Sequence, residues 1–444
     1  MRELLPCAPS NLVFRKMRAF YIVLNPDMPN IMVVDSIGRE ILKLCDGKTK
    51  VDHIVNHVLA TSPDKARRED IKHFIRSLAD SGFITTGESP PMARQNQPIK
   101  KLVLLHLHLT RACNFRCKHC YARAGKPHKA ELSDTDILSV ITQFADLEGE
   151  QLTLSGGEPL LRRELLHQIV KNANGWGIER VYIETNGTLI TAEDAKIFKE
   201  TGTTVTVSLD GATPETCNHI RGRYAFEKAT EGIRTLVRSQ VNTGIGITFM
   251  SHNLKEAEEI VRLAKRLKVN FLSLNSIRII GRAEENPDLA VPMNDATRAI
   301  IKAWRTARKL KVRTSFEKQI EQLKSLSKAH GCGAGTSDLT ITADGNVYPC
   351  NMLQRPEFVA GNIKTQSLGE IWKTSSIMEL FQEMSVLDIP KCRSCELKYM
   401  CRGCPADSYL TYGNLMQTPP SCALYRKICW VTIKELARQM WLEA

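Results

Sequence analysis

The chain has 444 residues, 43% apolar and 25% charged, with a net charge of +13 and 14 cysteines. It is long enough for two or three domains with cores of their own, and no apolar run could span a bilayer. The N-terminus lacks the uninterrupted apolar stretch of a signal peptide, so the cytoplasm is the expected compartment, where clustered cysteines point to metal rather than disulfides. Lys and Arg are spread along the whole chain, which reads as solvated helix faces and anionic-ligand contacts, not as a nucleic-acid surface.

Residues 1–90 hold strand-like runs at 20–24 and 31–34, then helical patterns at 36–45, 51–59 and 65–81 that close on Gly82. A polar, proline-rich stretch without periodicity follows at 88–100 and reads as a linker, with 91–100 as its core. From 101 to about 315 the pattern becomes strand, loop, helix, repeated. The strands are expected at 102–109, 151–155, 180–184, 203–208, 243–250 and 271–276, with helices at 134–147, 192–200, 255–267 and 295–310. Such alternation predicts a parallel sheet with helical crossovers, and about six units suit an incomplete (β/α)6 barrel rather than a closed eight. The last part, 316–444, shows little periodicity until an amphipathic helix at 424–442, and metal clusters could staple it.

The loop after the first barrel strand carries Cys113, Cys117 and Cys120 in the spacing CxxxCxxC. Thiolate is the ligand that iron–sulfur clusters prefer, and three thiols leave the fourth iron of a cubane open to a cofactor. The alternatives are a zinc site short of one ligand or a chance grouping. The segment from Thr110 to Tyr121 resembles the signature of the radical S-adenosylmethionine (AdoMet) superfamily. That resemblance implies AdoMet bound at the open iron and cleaved to a 5′-deoxyadenosyl radical. Ser155-Gly156-Gly157-Glu158-Pro159 resembles the family's GGEP motif, which contacts the methionine amino group. Asn186 after the third strand, and Ser208 with Asp210 at the end of the fourth, match further family loops; the latter pair suits the ribose hydroxyls. Taken singly, each loop could be a helix cap or a turn. No residue is singled out as catalytic.

The C-terminal part holds Cys332, Cys350, Cys392, Cys395, Cys401, Cys404 and Cys422. The run from Cys332 to Cys350 reads as a hairpin turning at Asp344-Gly345. The whole resembles the SPASM domain of radical enzymes that modify peptides and proteins, and so implies two auxiliary clusters. Cys392, Cys395, Cys401 and Cys422 would hold the outer one, and Cys332, Cys350 and Cys404 the inner. Cys401 and Cys404 are separated by two residues where the family commonly has three. Paired CxxC motifs also suit structural zinc. Ten cysteines for three [4Fe–4S] clusters leave two irons open, one for AdoMet and one on the inner cluster. One of Cys7, Cys217 or Cys429 could fill the second vacancy, while Cys45 sits in an apolar helical pattern and reads as core.

Residues 1–90 resemble the small peptide-chaperone protein of pyrroloquinoline quinone biosynthesis, a winged-helix-like α+β unit that captures a leader peptide as an added strand. A winged-helix DNA-binding domain would show similar elements. The combined resemblance is to radical AdoMet/SPASM peptide maturases of the thioether-forming, sactipeptide and ranthipeptide type. It implies a precursor peptide with a leader, and a reducing partner such as ferredoxin or flavodoxin. A thioether is the first expectation and a carbon–carbon link the second. Competing readings are sulfatase-type maturation, disfavoured because Asn351 follows Cys350 where an aspartate is typical, tetrapyrrole modification, and an iron–sulfur DNA-binding sensor.

Overall fold

The computed structural model describes residues 4–27, 30–62, 67–86, 100–316, 332–401 and 403–443. The expected linker therefore lies outside the described residues, apart from its last position.

The first unit opens with an antiparallel meander of β1 (Val13–Lys16), β2 (Tyr21–Asn25) and β3 (Asn30–Val34). β1 was not expected: half of its four residues face water, which erases the alternation that betrays a strand. Helices Ser36–Leu44, Val51–Thr61 and Arg68–Asp80 cover one face of the sheet, the first capped by Asp35, whose carboxylate accepts from Gly38 N–H at 2.7 Å. Side chains alternate along β2, and both faces are buried. Val23 joins Ile54, Val55 and Leu78 in the unit's own core. Ile22 and Leu24 point the other way, onto Ile433 and Leu436 of the C-terminal helix.

The barrel strands are β4 (Leu104–Thr110), β5 (Gln151–Gly156), β6 (Arg180–Thr185), β7 (Thr204–Ser208), β8 (Asn242–Phe249) and β9 (Phe271–Ser276), parallel and in chain order. Capping boxes at Ser133 and Thr191 start two of the crossover helices where the pattern placed them. The sheet is longer than the six expected strands. β10 (Arg313–Thr314) extends it beside β9. β11 (Asp338–Ile341), β12 (Asn346–Tyr348) and β13 (Gly361–Asn362) extend it beside β4. The predicted hairpin is β11–β12, turning through Gly345 at φ 90°. Because β11 runs parallel to β4, the cysteine-rich region continues the barrel sheet.

The alternation along the barrel strands is what makes a site possible. Leu105, Leu107, Leu152, Leu154, Val205 and Val207 point out to the helices and are wholly buried. The intervening residues, among them His106, Ser155, Glu184, Thr206 and Ser208, belong to the inner face. A closed barrel fills that space with branched apolar side chains. Here it is polar.

The C-terminal region is richer in structure than expected, with helices Leu368–Thr374, Ser376–Glu383 and Pro405–Tyr412 before a final one over Cys422–Glu443. That last helix is not amphipathic in the expected sense. Leu424 and Ile428 enter the barrel core. Trp430, Ile433, Leu436 and Ala437 pack under the N-terminal sheet, and Trp441 stacks on Phe20 with ring centroids 5.2 Å apart. Its apolar surface turns because its two ends serve different neighbours. Among the described residues, no helix is long and apolar enough to cross a membrane.

Ile433→Ala should cost about 2–5 kcal/mol by leaving a cavity between the two units. Hydrogen exchange should show it as faster amide exchange in β2, with β5 and β6 keeping their protection.

Candidate functional site

A cavity of about 590 Å³ opens at the C-terminal ends of the barrel strands. Cys113, Cys117 and Cys120 line one wall, with Gly156, Gly157, Asn186 and Ser208 around them. Asn351, Met352 and Tyr425 close the side toward the C-terminal region.

The cysteine loop is shaped to present its sulfurs. Phe115 N–H donates to Cys113 Sγ and Ala124 N–H to Cys120 Sγ, each at 3.4 Å. The loop is clamped from outside by Arg282, whose guanidinium donates to the carbonyls of Cys117, at 2.7 Å, and Ala124, while its own N–H donates to Cys120 O at 2.9 Å. Burial pushes the Cys117 thiol up to about 12, opposed by the Arg221 guanidinium. A thiol so placed ionises only against a cation such as iron. His119 Nδ1 and Arg221 Nε are buried without a protein partner, and both residues line the cavity. Three thiols facing one space, amide donors on two of them and unspent nitrogen donors nearby fit an iron–sulfur cluster.

Glu158 and Asp210, expected to contact the cofactor, do not line this cavity. Glu158 is fully buried behind the loop: its Oε1 accepts from Thr185 Oγ1 at 2.7 Å and Leu160 N–H at 3.1 Å, and its Oε2 from Asn186 N–H at 2.8 Å. The carboxylate therefore ties the loop after β5 to the loop after β6. Gly156 and Gly157 line the cavity instead, and a Cβ on Gly157 would lie 2.0 Å from Ala112 O. Asp210 is likewise wholly buried, because β7 ends at Ser208 and the chain turns under the loop. Its Oδ2 forms an ion pair with Arg221 at 2.6 Å, without hydrogen-bond alignment, and lies 3.1 Å from His119. Oδ1 accepts from Thr248 N–H at 2.8 Å. Burial alone would raise its carboxyl; Arg221 and His119 reverse that and hold it well below the usual carboxylate range. Of the expected ribose contacts, only Ser208 faces the cavity. Asn186 does too, and donates to Asn114 Oδ1 at 2.7 Å.

The C-terminal cysteines lie in two groups. Cys332, Cys350 and Cys404 share an apolar pocket with Tyr348 and Phe381. Burial pushes Cys350 up to about 12, and the neighbouring Cys332 adds to it. Cys392 is raised to about 11 by burial and by the proximity of Cys401, Cys422 and Cys395. None of the spare cysteines joins the inner three. Cys429 lies against Cys401, beside the outer four. Cys217 is buried near Arg221 and Asp210, and Cys7 lies near Cys45, which is core as expected. Sequence reasoning missed the bracing residues Arg221 and Arg282. Both are distant in the chain from the cysteines they hold, and no local spacing marks them.

Residues 107–264 match the Radical SAM superfamily and residues 332–396 the SPASM iron–sulfur cluster-binding domain. The chain is a radical SAM/SPASM enzyme. AdoMet and multiple [4Fe–4S] clusters are its cofactors. Residues 21–84 of this radical SAM enzyme match the coenzyme PQQ synthesis protein D (PqqD) family. An AdoMet-dependent heme synthase from Methanosarcina barkeri is 29% identical over 343 residues, 73% of this chain and 96% of that one. Mycofactocin maturase MftC from Mycobacterium tuberculosis is 28% identical over 335 residues, 72% of this chain and 82% of its own. Among solved structures, anSMEcpe with bound AdoMet and Cp18Cys peptide shares the fold at TM-score 0.62 and 19% identity, over 76% of this chain and 99% of that one. Streptococcus suis SuiB bound to precursor peptide SuiA does so at TM-score 0.58 and 15% identity, over 93% of this chain and 98% of that one.

Replacing Cys113, Cys117 and Cys120 together by alanine should remove about four irons per chain and leave roughly eight. An iron assay on anaerobically reconstituted protein checks this. Asp210→Asn should cost about 3–5 kcal/mol at neutral pH, because it strips the buried Arg221 of its anion. The depressed carboxyl contributes its full stability above about pH 4 and loses it as pH falls further, so the variant's stability should fall less steeply in acid. Denaturant unfolding at several pH values measures both effects.

Proposed function

We propose that this enzyme matures a ribosomally made precursor peptide, captured through its leader by residues 1–90. The PqqD-type unit, carried in one chain with the barrel and the SPASM domain, is the observation that carries this reading. Its sheet leaves β3 at an edge, open to an added strand. Beside that edge runs a groove of about 320 Å³ lined by Val33, Val34, Phe74 and Trp441, suited to apolar leader side chains.

Cys113, Cys117 and Cys120 would hold the cluster that binds AdoMet, with Gly156, Gly157, Asn186 and Ser208 around the cofactor. Bound there, AdoMet supplies a 5′-deoxyadenosyl radical that takes a hydrogen atom from the peptide. The electron for that cleavage comes from a reducing partner such as ferredoxin or flavodoxin. Cys392, Cys395, Cys401 and Cys422 would hold the outer auxiliary cluster, and Cys332, Cys350 and Cys404 the inner one. Three thiols at the inner site leave one iron for a substrate thiolate, and no spare cysteine of this chain lies there. A thioether between a cysteine and a carbon of another residue is therefore the preferred product, with a carbon–carbon link second.

Tetrapyrrole modification is the second reading, supported by the 27–29% identity to three AdoMet-dependent heme synthases. It leaves the PqqD-type unit without a task. Sulfatase-type maturation is weakened by Asn351, an amide on the cavity wall that cannot act as a base.

The test is the intact mass of a Cys-containing precursor peptide after anaerobic co-expression with the enzyme. Loss of two hydrogens together with fewer alkylatable thiols is expected, and the same core peptide without its leader should stay unmodified. Loss of two hydrogens with every thiol free would indicate a carbon–carbon link. An unmodified precursor, alongside modification of an added tetrapyrrole, would overturn the peptide reading.

A further inference from the structure

Closing a carbon–sulfur bond from C–H and S–H removes two hydrogens. One leaves as an atom to the 5′-deoxyadenosyl radical, the other as a proton from the thiol. The electron left over passes to an oxidised auxiliary [4Fe–4S] cluster. On the maturation reading, that proton needs an acceptor in the cavity.

Among the described residues that line the cavity, Glu184 is the sole carboxylate. It is the penultimate residue of β6, on the inner face, immediately before Thr185 and Asn186, which bond Glu158 beside the cysteines. Its side chain is 48% exposed, and the space it meets is the cavity. Glu184 Oε2 lies 3.6 Å from His106 Nε2, which is itself 3.0 Å from Ser155 Oγ on the cavity wall. His106 is buried in the barrel floor, its side chain 14% exposed.

The other candidates on the wall are committed or unsuited. His119 serves Asp210. Tyr121 shares a hydrogen bond of 3.4 Å with His108, and burial pushes its phenol up, so it does not ionise near neutral pH. His108 is driven down to about 3 by burial and by His106, and stays neutral. Burial would raise the Glu184 carboxyl, but the His106 imidazole 3.6 Å away brings it below the ordinary carboxylate value. It is therefore ionised and able to receive a proton near neutral pH.

We propose that Glu184 is the general base of peptide maturation, positioned by His106. It takes the thiol proton as the substrate thiolate forms ahead of bond closure, and the same His106 Nε2 also meets Ser155 Oγ at 3.0 Å.

The experiment uses the full-length, reconstituted enzyme with its precursor, and counts 5′-deoxyadenosine and modified peptide in the same reaction. Wild type should give the two in near-constant ratio. Glu184→Gln should keep 5′-deoxyadenosine formation within a few-fold while the cross-linked peptide falls by about 100-fold or more. Glu184→Asp should recover part of the coupling. His106→Gln, which keeps a side-chain N–H beside Glu184, should stay closer to wild type in that ratio than His106→Phe. Iron content and the visible cluster spectrum should match wild type in each variant. If Glu184→Gln makes product at the wild-type ratio, or loses 5′-deoxyadenosine and product in equal measure, Glu184 is not the base. If wild type itself leaves the precursor unmodified, the maturation reading fails instead, and the ratio in the variants is not needed to show it.

Discussion

Asp210 has no access to water, and its pairing with Arg221 and His119 ties three stretches of chain to one point. Asp210 comes from the turn after β7, Arg221 from the end of helix Pro214–Arg221, and His119 from the cysteine loop itself. Moving such charges out of water costs several kcal/mol each, so the arrangement persists only while every member keeps its partner. The result is a loop whose thiols stay in place without being drawn into the core. Arg282 does the same work from the outer side through backbone carbonyls, and Glu158 locks the neighbouring loops from below. The polar residues beside this cavity are therefore of two kinds. Some are spent on each other, and the remainder, including Asn186, Ser208 and Glu184, face the space where chemistry would occur.

The final helix joins the parts that bind metal and peptide. It begins at Cys422, passes the barrel at Leu424 and Ile428, and ends with Trp441 against Phe20 of the N-terminal unit. At 22 residues it spans about 33 Å as one rigid element. Because β2 buries both faces, the N-terminal unit is held against this helix over an apolar surface, with Lys398 and Asp27 paired at 3.2 Å alongside. Trp441 also lines the groove beside β3, so the same helix that begins at Cys422 shapes the wall of that groove. Capture and chemistry share one scaffold.

Much of the site was legible because its ligands are local. Cys113, Cys117 and Cys120 fall within one loop, and chain spacing alone says that their sulfurs can meet. The barrel strands showed themselves by alternation, and the helices by their period and by capping residues such as Ser133 and Thr191. What spacing could not reveal was direction. Glu158 and Asp210 stand in loops that do surround the cavity, yet each turns its carboxylate away, because a buried acid goes where donors and cations can satisfy it.

The sequence by itself therefore determined the strand order, the loops that carry sulfur and the grouping of cysteines, since each depends on residues close in the chain or on a regular period. Tertiary structure alone decided which polar residues brace the site and which face it. Arg282 and the His106–Glu184 pair acquire their roles from neighbours dozens to more than a hundred residues away, and Arg221 through Asp210, which also meets His119 of the cysteine loop. It also decided that Cys429 stands by the outer cysteines and not the inner ones. That choice rests on how the last helix packs between two cores, a balance of buried surfaces that no local pattern encodes.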